Sequence, residues 1–255
     1  MHTEPHPIHE RLLRLVDEHR FITTSQLMRL TRSEYSSRRS ALRQTLRHLR
    51  GLRERQLITS LERRVGGWQG GSQVTVWTLT SRGKRTLTGS HGRLFPHRLS
   101  TTFLEHQLAV TETRVALHEA SKQQNIQIRV EGEPQCWRTY LDQYGATTVL
   151  KPDLALTATS SDYVDRYFLE VDRATENPAR VIRKCWQYEQ YRRSGTEQER
   201  HGVYPAVVWI VPHTERKAQL LRALNAEPKL PRHLFTVITP DELSALIRDG
   251  PTPAG

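Results

Sequence analysis

Residues 152–176 read PDLALTATSSDYVDRYFLEVDRATE. Two apolar runs rich in strand-forming residues flank the turn-like SSD at 160–162, which is the pattern of two neighbouring strands. Asp153 opens the first run and Glu170 closes the second, seventeen positions later. Carboxylates at the ends of adjacent strands can converge on a divalent cation, or can be ordinary polar strand ends. Asp172, two residues past Glu170, adds a third acid whose role decides between these readings.

The elements around this stretch predict an α/β domain with a central mixed sheet. Residues 100–122, STTFLEHQLAVTETRVALHEASK, read as one long amphipathic helix. Strand-like runs follow at IQIRVE (continuing toward QCWRTY), TTVLKPDLALTAT and RYFLEVD. A helix opens at Asn177 with Pro178 in its first turn, a position where the missing N–H costs nothing. YPAVVWIV is a near-continuous apolar run, as a strand buried on both faces would be. ERKAQLLRAL, LFTVIT and PDELSALIRD then give helix, strand and helix. The expected order is αβββαβ, extended by α-β-α.

Charge separates this region from what precedes it. The chain has 255 residues, 36% apolar content and a net charge of +11. Residues 1–100 carry 19 Lys and Arg against 7 Asp and Glu, whereas residues 101–255 carry 19 against 20. A net +12 confined to one half points to a polyanionic partner for that half and a different task for the other. No apolar run approaches the ~20 residues needed to span a bilayer. The start, MHTEPHPIHE, has neither the basic nor the apolar region of a signal peptide. Two cysteines, Cys136 and Cys185, make neither a disulfide framework nor a zinc site. A cytoplasmic protein without a membrane partner is expected. No phosphate-binding Gly-rich loop followed by Lys-Ser/Thr occurs, so an ATPase reading has no support.

In the basic half, IHERLLRLVDE and TSQLMRL carry helical apolar stripes, with Thr23 or Thr24 as N-cap of the second. The third helix, about residues 36–53, places Leu42, Leu46, Leu49 and Leu52 on one expected packing face. Arg39, Arg43, Arg47 and Arg50 form a stripe about a quarter-turn away, and Arg38 stands at its start. QLITSLERRV and QVTVWTLT alternate like antiparallel strands around GGWQGG, with Arg63 and Arg64 at the base of that tip. Glycines at 66, 67, 70 and 71 would let the tip approach a phosphate backbone closely. SRGKRTL closes the unit. Helices, a two-stranded wing and a closing helix resemble a winged helix-turn-helix domain. Such a domain binds double-stranded DNA, with Arg38, Arg39, Arg43, Arg47, Arg50, Arg63 and Arg64 as candidate contacts. The expected boundaries are 1–90 for this domain, 91–100 for a linker, 101–248 for the α/β domain and 249–255 for a flexible tail.

The order around PDLAL and FLEVD resembles the PD-(D/E)xK nuclease superfamily. The resemblance implies that Asp153 and Glu170 hold Mg²⁺ (or Mn²⁺), a hard cation suited to two carboxylates and water. Such an ion polarises the phosphodiester and helps to generate an attacking hydroxide. Glu112, on the preceding helix, could reach the site through a water or the metal. Gln187 and Tyr191 match a Q-x-x-x-Y motif of the bacterial recombination-repair exonuclease branch, whose side chains orient near the site. The superfamily's lysine would fall at position 172, where this chain has Asp172. Lys184, three positions before Gln187, and Arg173 are the possible substitutes; a lysine moved to the helix is a known variation. Trp186 and Tyr188 read as packing residues.

The full set (winged helix, LEHQLAVTETRVAL, KPDLAL, FLEVDRATE and the Lys184-to-Tyr191 helix) resembles the replication-relaxation family of plasmids, integrative elements and phages, over about residues 8–225. The resemblance implies a DNA-binding protein of mobile-element type acting in replication, DNA relaxation or their regulation. It leaves open whether the site is that of a metal-dependent DNA endonuclease or nicking enzyme. The alternative is a winged-helix transcriptional regulator whose nuclease-like domain serves non-catalytic dimerisation. A homodimer and replication or mobilisation proteins are the other expected partners.

Overall fold

The structure, a computed structural model, describes residues 7–61, 74–89, 100–161 and 163–251. The expected linker (apart from Ser100), Arg63, Arg64, the glycines of the tip and most of the tail lie outside the described residues. The chain divides into two compact units, 1–115 and 116–255.

The first unit begins with α1 (Pro7–His19), whose Ile8, Leu12, Leu13 and Val16 face the core. A two-residue strand, β1 (Ile22–Thr23), leads into α2 (Thr24–Leu30). Thr23 caps α2 reciprocally: its hydroxyl accepts from the Gln26 N–H at 3.2 Å, and the Gln26 amide oxygen accepts from the Thr23 N–H at 2.9 Å. Next come α3 (Arg38–Glu54), capped by Ser37, then β2 (Ile58–Leu61), β3 (Val76–Leu79) and α4 (Ser81–Thr88). The strands form an antiparallel sheet in the order β1-β3-β2. So short a strand as β1 has no period to read; Thr23 declares itself in sequence only as a cap.

Helix α3 differs from its sequence reading. Its buried residues are Ala41, Thr45, Leu49 and Leu52, while Leu42 and Leu46 are 43% and 44% exposed. The inward row runs at i, i+4, i+8, i+11, and at its N-terminal end small residues let the neighbouring elements approach. Apolarity alone cannot distinguish that row from one shifted by a single position.

Gly83 in α4 is set by packing. A Cβ added there would lie 1.9 Å from the Leu57 carbonyl oxygen, a contact that only backbone movement relieves. Gly83→Ala is therefore expected to destabilise the protein by ~1–3 kcal/mol, read as a fall in urea midpoint at unchanged slope. An unchanged midpoint would mean that α4 shifts freely against Leu57.

Helix α5 (Thr101–Gln124) runs across the division. The second unit continues with β4 (Gln127–Glu131), β5 (Arg138–Leu141), β6 (Thr147–Leu150), β7 (Leu154–Thr159) and β8 (Val164–Val171). After them come α6 (Pro178–Ser194), α7 (Thr196–His201), β9 (Ala206–Ile210), α8 (Thr214–Asn225), β10 (Phe235–Ile238) and α9 (Leu243–Asp249). Five strands form a mixed sheet in the order β10-β9-β8-β7-β4. β8, β9 and β10 are mutually parallel, and β7 runs antiparallel to both β8 and β4. β5 and β6 pair antiparallel with each other as a separate two-stranded hairpin among the described residues. The expected single run TTVLKPDLALTAT is therefore two strands divided at Pro152, which has no N–H for a ladder. Phe168, Tyr188, Tyr191, Val207, Trp209 and Phe235 are among the residues of the core of this unit. No helix among the described residues is long and apolar enough to cross a membrane.

Candidate functional site

The sheet brings the two carboxylates of the Pro152–Glu176 stretch together. The β7–β8 ladder ends with Leu154 opposite Leu169, so one further step sets Asp153 level with Glu170. Residues directly opposite in an antiparallel pair share a face. Asp153 is fixed there by its Oδ2, which accepts the Val171 N–H at 2.7 Å. Glu170 is 2% exposed, one residue from the end of β8.

Helix α6 supplies the remaining groups. Asn177 caps it through the Ala179 N–H at 3.0 Å, with Pro178 in the first turn. Lys184 and Tyr188, four residues apart, present their polar ends on one face. The Lys184 ammonium donates to Glu170 Oε2 at 2.5 Å, and the Tyr188 hydroxyl donates to Glu170 Oε1. Burial lifts the Glu170 pKa, the Asp153 charge lifts it further, and Lys184 and Tyr188 pull against them; the outcome is about 7. For Lys184, burial opposes the charge, but Glu170 and Asp153 more than offset it and its pKa rises. Both shifts are upward, and for one ion pair they differ in consequence: one favours a neutral acid, the other a charged base. The physical reconciliation is that Lys184 neighbours two carboxylates and Glu170 is buried with one ammonium. Burial thus raises the Glu170 acid, while the two neighbouring carboxylates hold Lys184 in its charged form. Tyr188, buried against Glu170, has its pKa pushed well above 10 and stays a donor.

Asp172 turns to a different partner. Its N–H continues the ladder to the Ile210 carbonyl at 2.9 Å, while its carboxylate receives Arg216 of α8. Arg216 Nε donates to Oδ2 at 2.6 Å and Nη2 to Oδ1 at 3.3 Å. Arg216 also donates to the Glu176 carbonyl and to Gln219, each at 2.8 Å. Both side chains of the pair are nearly fully buried.

The other candidates of α6 separate. Gln187 is exposed, whereas Tyr191 is buried and donates to Glu197. Arg173 is half-buried next to Asp172 in the chain. Glu112 belongs to the first unit, where Gln26 Nε2 donates to it at 2.9 Å and Arg29 pairs with it. Tyr188 reaches the centre of the cluster although an aromatic residue on an amphipathic helix reads as packing. The signal that marks it is its i+4 spacing from Lys184.

As a cation site the cluster offers two carboxylates, hard oxygen donors in the number Mg²⁺ commonly takes from protein. Among the described residues no group of three or more His, Cys, Asp or Glu is placed to hold a metal ion. The donor set fits Mg²⁺ or Mn²⁺ completed by water and phosphate oxygens, and does not fit zinc.

In the first unit, Arg38, Arg39, Arg43, Arg47 and Arg50 are all exposed along α3. Elsewhere in this unit Arg11, Arg14, Arg29 and Arg114 are paired with Glu34, Glu10, Glu112 and Glu18. Among the described residues no carboxylate pairs with any of the five on α3.

Comparison with known proteins gives a family model described as replication-relaxation, which matches residues 13–207. No curated protein matches the chain. Among solved structures, the restriction endonuclease FokI is similar at 13% identity and a TM-score of 0.32, covering 95% of this chain and 44% of that one. The chain thus spans less than half the length of that protein.

Proposed function

The chain belongs to the replication-relaxation family, and from that premise we propose that it is a DNA-binding protein acting in the replication or relaxation of plasmid or mobile-element DNA. On this reading the first unit is a winged helix-turn-helix that engages duplex DNA through the α3 arginines. The second unit is a PD-(D/E)xK-type nuclease domain with its metal site at Asp153 and Glu170, and it cuts or nicks a phosphodiester. The observation that carries the nuclease reading is the Lys184 ammonium on Glu170. It supports α6 as the source of the lysine that position 172 lacks.

Each residue has a role in this chemistry. The Val171 N–H orients Asp153, and Tyr188 orients Glu170. Lys184 supplies a fixed positive charge beside both carboxylates, so that a phosphate can approach an otherwise repulsive site. A bound Mg²⁺ or Mn²⁺ supplies Lewis-acid polarisation of the phosphodiester. Asp172, neutralised by Arg216, adds no repulsion.

The experiment is incubation with supercoiled, nicked and single-stranded DNA in Mg²⁺, Mn²⁺ or EDTA. Cation-dependent cleavage is expected, reduced ~100-fold or more in Asp153→Ala, with duplex affinity in EDTA held within about twofold because the α3 arginines are untouched. Absence of cleavage on every substrate would sink the nuclease reading. A second reading would then stand: a non-catalytic regulator or accessory factor whose nuclease-like unit serves contacts or dimerisation. It is favoured by one observation, that Lys184 and Tyr188 already engage both oxygens of Glu170.

A further inference from the structure

We propose that Leu42 and Leu46 are specificity-determining residues that contact the C5-methyl groups of thymines in the major groove. The inference rests on the DNA-binding reading of α3 and adds to it a sequence preference and the residues that enforce it.

Between residues 39 and 50 the exposed surface of α3 is built of two adjacent rows at i, i+4 spacing. Leu42, Leu46 and Arg50 make one; Arg39, Arg43 and Arg47 make the other, ~60° round the helix at 100° per residue. Leu42 and Leu46 are 43% and 44% exposed, in a helix whose inward row is Ala41, Thr45, Leu49 and Leu52. Two solvent-facing leucines beside arginines that pair with no described carboxylate make a mixed surface. It is not the uniformly charged face of a solvated helix.

Charge selects the occupant. A face with four arginines and two leucines beside them complements a polyanion that also displays apolar groups. Duplex DNA meets that description through the thymine methyls, the main apolar features of the major-groove floor. The spacing agrees: four residues rise ~6 Å along a helix, close to two base-pair steps at ~3.4 Å each. Leu42 also lies in the first turns of α3, the part of a recognition helix that meets base edges. The arginines divide between phosphate contacts and guanine edges, and the two leucines read thymines about two steps apart.

The test uses the full chain. A preferred duplex is selected from a random-sequence library, and each thymine in it is replaced in turn by uracil, which lacks only the methyl. At two positions about two steps apart, uracil is expected to weaken binding ~fourfold, the effect of exposing one methyl's worth of apolar surface. Leu42→Ala should abolish that loss at one position and Leu46→Ala at the other, both with unchanged salt dependence. Arg43→Ala should instead lower the salt slope by ~1 with thymine and uracil duplexes affected alike. Equal effects of the leucine variants on thymine and uracil duplexes would overturn the assignment while leaving DNA binding intact. So would unchanged DNA binding together with lost self-association, which would give the face to a second copy of the chain. Failure to bind any duplex would overturn the DNA-binding reading itself.

Discussion

Arg216→Ala is expected to be among the most damaging single substitutions in the chain, with a loss of ~3–5 kcal/mol of folding free energy. Asp172 and Arg216 lie at the end of β8 and in the first turn of α8, and both side chains are buried. Removing the guanidinium strands a carboxylate without its counter-charge and takes the Arg216 donor from the Glu176 carbonyl. The same geometry makes Asp172→Lys, which writes the nuclease-type lysine back into the strand, destructive: it sets an ammonium against Arg216. Its urea midpoint should fall at least as far as that of Arg216→Ala. The paired replacement Asp172→Leu with Arg216→Met should be much milder than either single change, because a desolvated ion pair exchanged for apolar side chains loses little net energy. A folding free energy for Arg216→Ala within about 0.5 kcal/mol of the parent would show that water or another cation compensates the Asp172 charge.

Lys184→Met is expected to lower DNA cleavage ~100- to 1000-fold, the effect of deleting one preorganised electrostatic group. Its effect on binding in EDTA should be under about twofold, since the α3 arginines supply the salt-dependent affinity. Two consequences of the geometry underlie the size. The methionine leaves Glu170 and Asp153 as neighbouring acids with no compensating charge. It also removes the main group opposing burial at Glu170, whose pKa is then driven above its present value of about 7. Glu170 would hold its proton more tightly and be a poorer cation ligand. Lys184→Arg keeps the charge but not the compact ammonium, and should retain more activity than Lys184→Met. Equal rates for the parent and Lys184→Met would remove the lysine from the chemistry and leave it as a partner that fills a buried site.

Helix α5, the strands of the mixed sheet and helix α6 were legible because they rest on local signals (period, caps and the near-continuous apolar run of β9), although five strands rather than three stand between α5 and α6. The Asp153–Glu170 juxtaposition was legible too, since two strands joined by a short turn pair in antiparallel fashion and bring their far ends level. What escaped is non-local or depends on a single-residue phase. The partner of Asp172 lies 44 positions away on α8, and nothing in the text of FLEVD names it. Gln187 and Tyr191 share a spacing, yet the first is exposed and the second is buried; Tyr188, one position on from Gln187, reaches Glu170. On α3 the leucines dominate the pattern, but the helix packs through Ala41 and Thr45, where small volume rather than apolarity admits the neighbours. Hydropathy records how strongly a residue prefers burial, and not how much room there is for it.

The N-cap of α6 carries a consequence beyond the start of a helix. Lys184 and Tyr188 stand seven and eleven residues past Asn177, and each residue turns the helix by ~100°. The cap therefore sets the clock position of every side chain behind it. Two sheet strands deliver the acids along one line, while the basic and phenolic groups arrive from a rotating element whose zero is fixed at Asn177 and Pro178. The cluster's address is thus written partly in a pair of residues that touch none of its atoms.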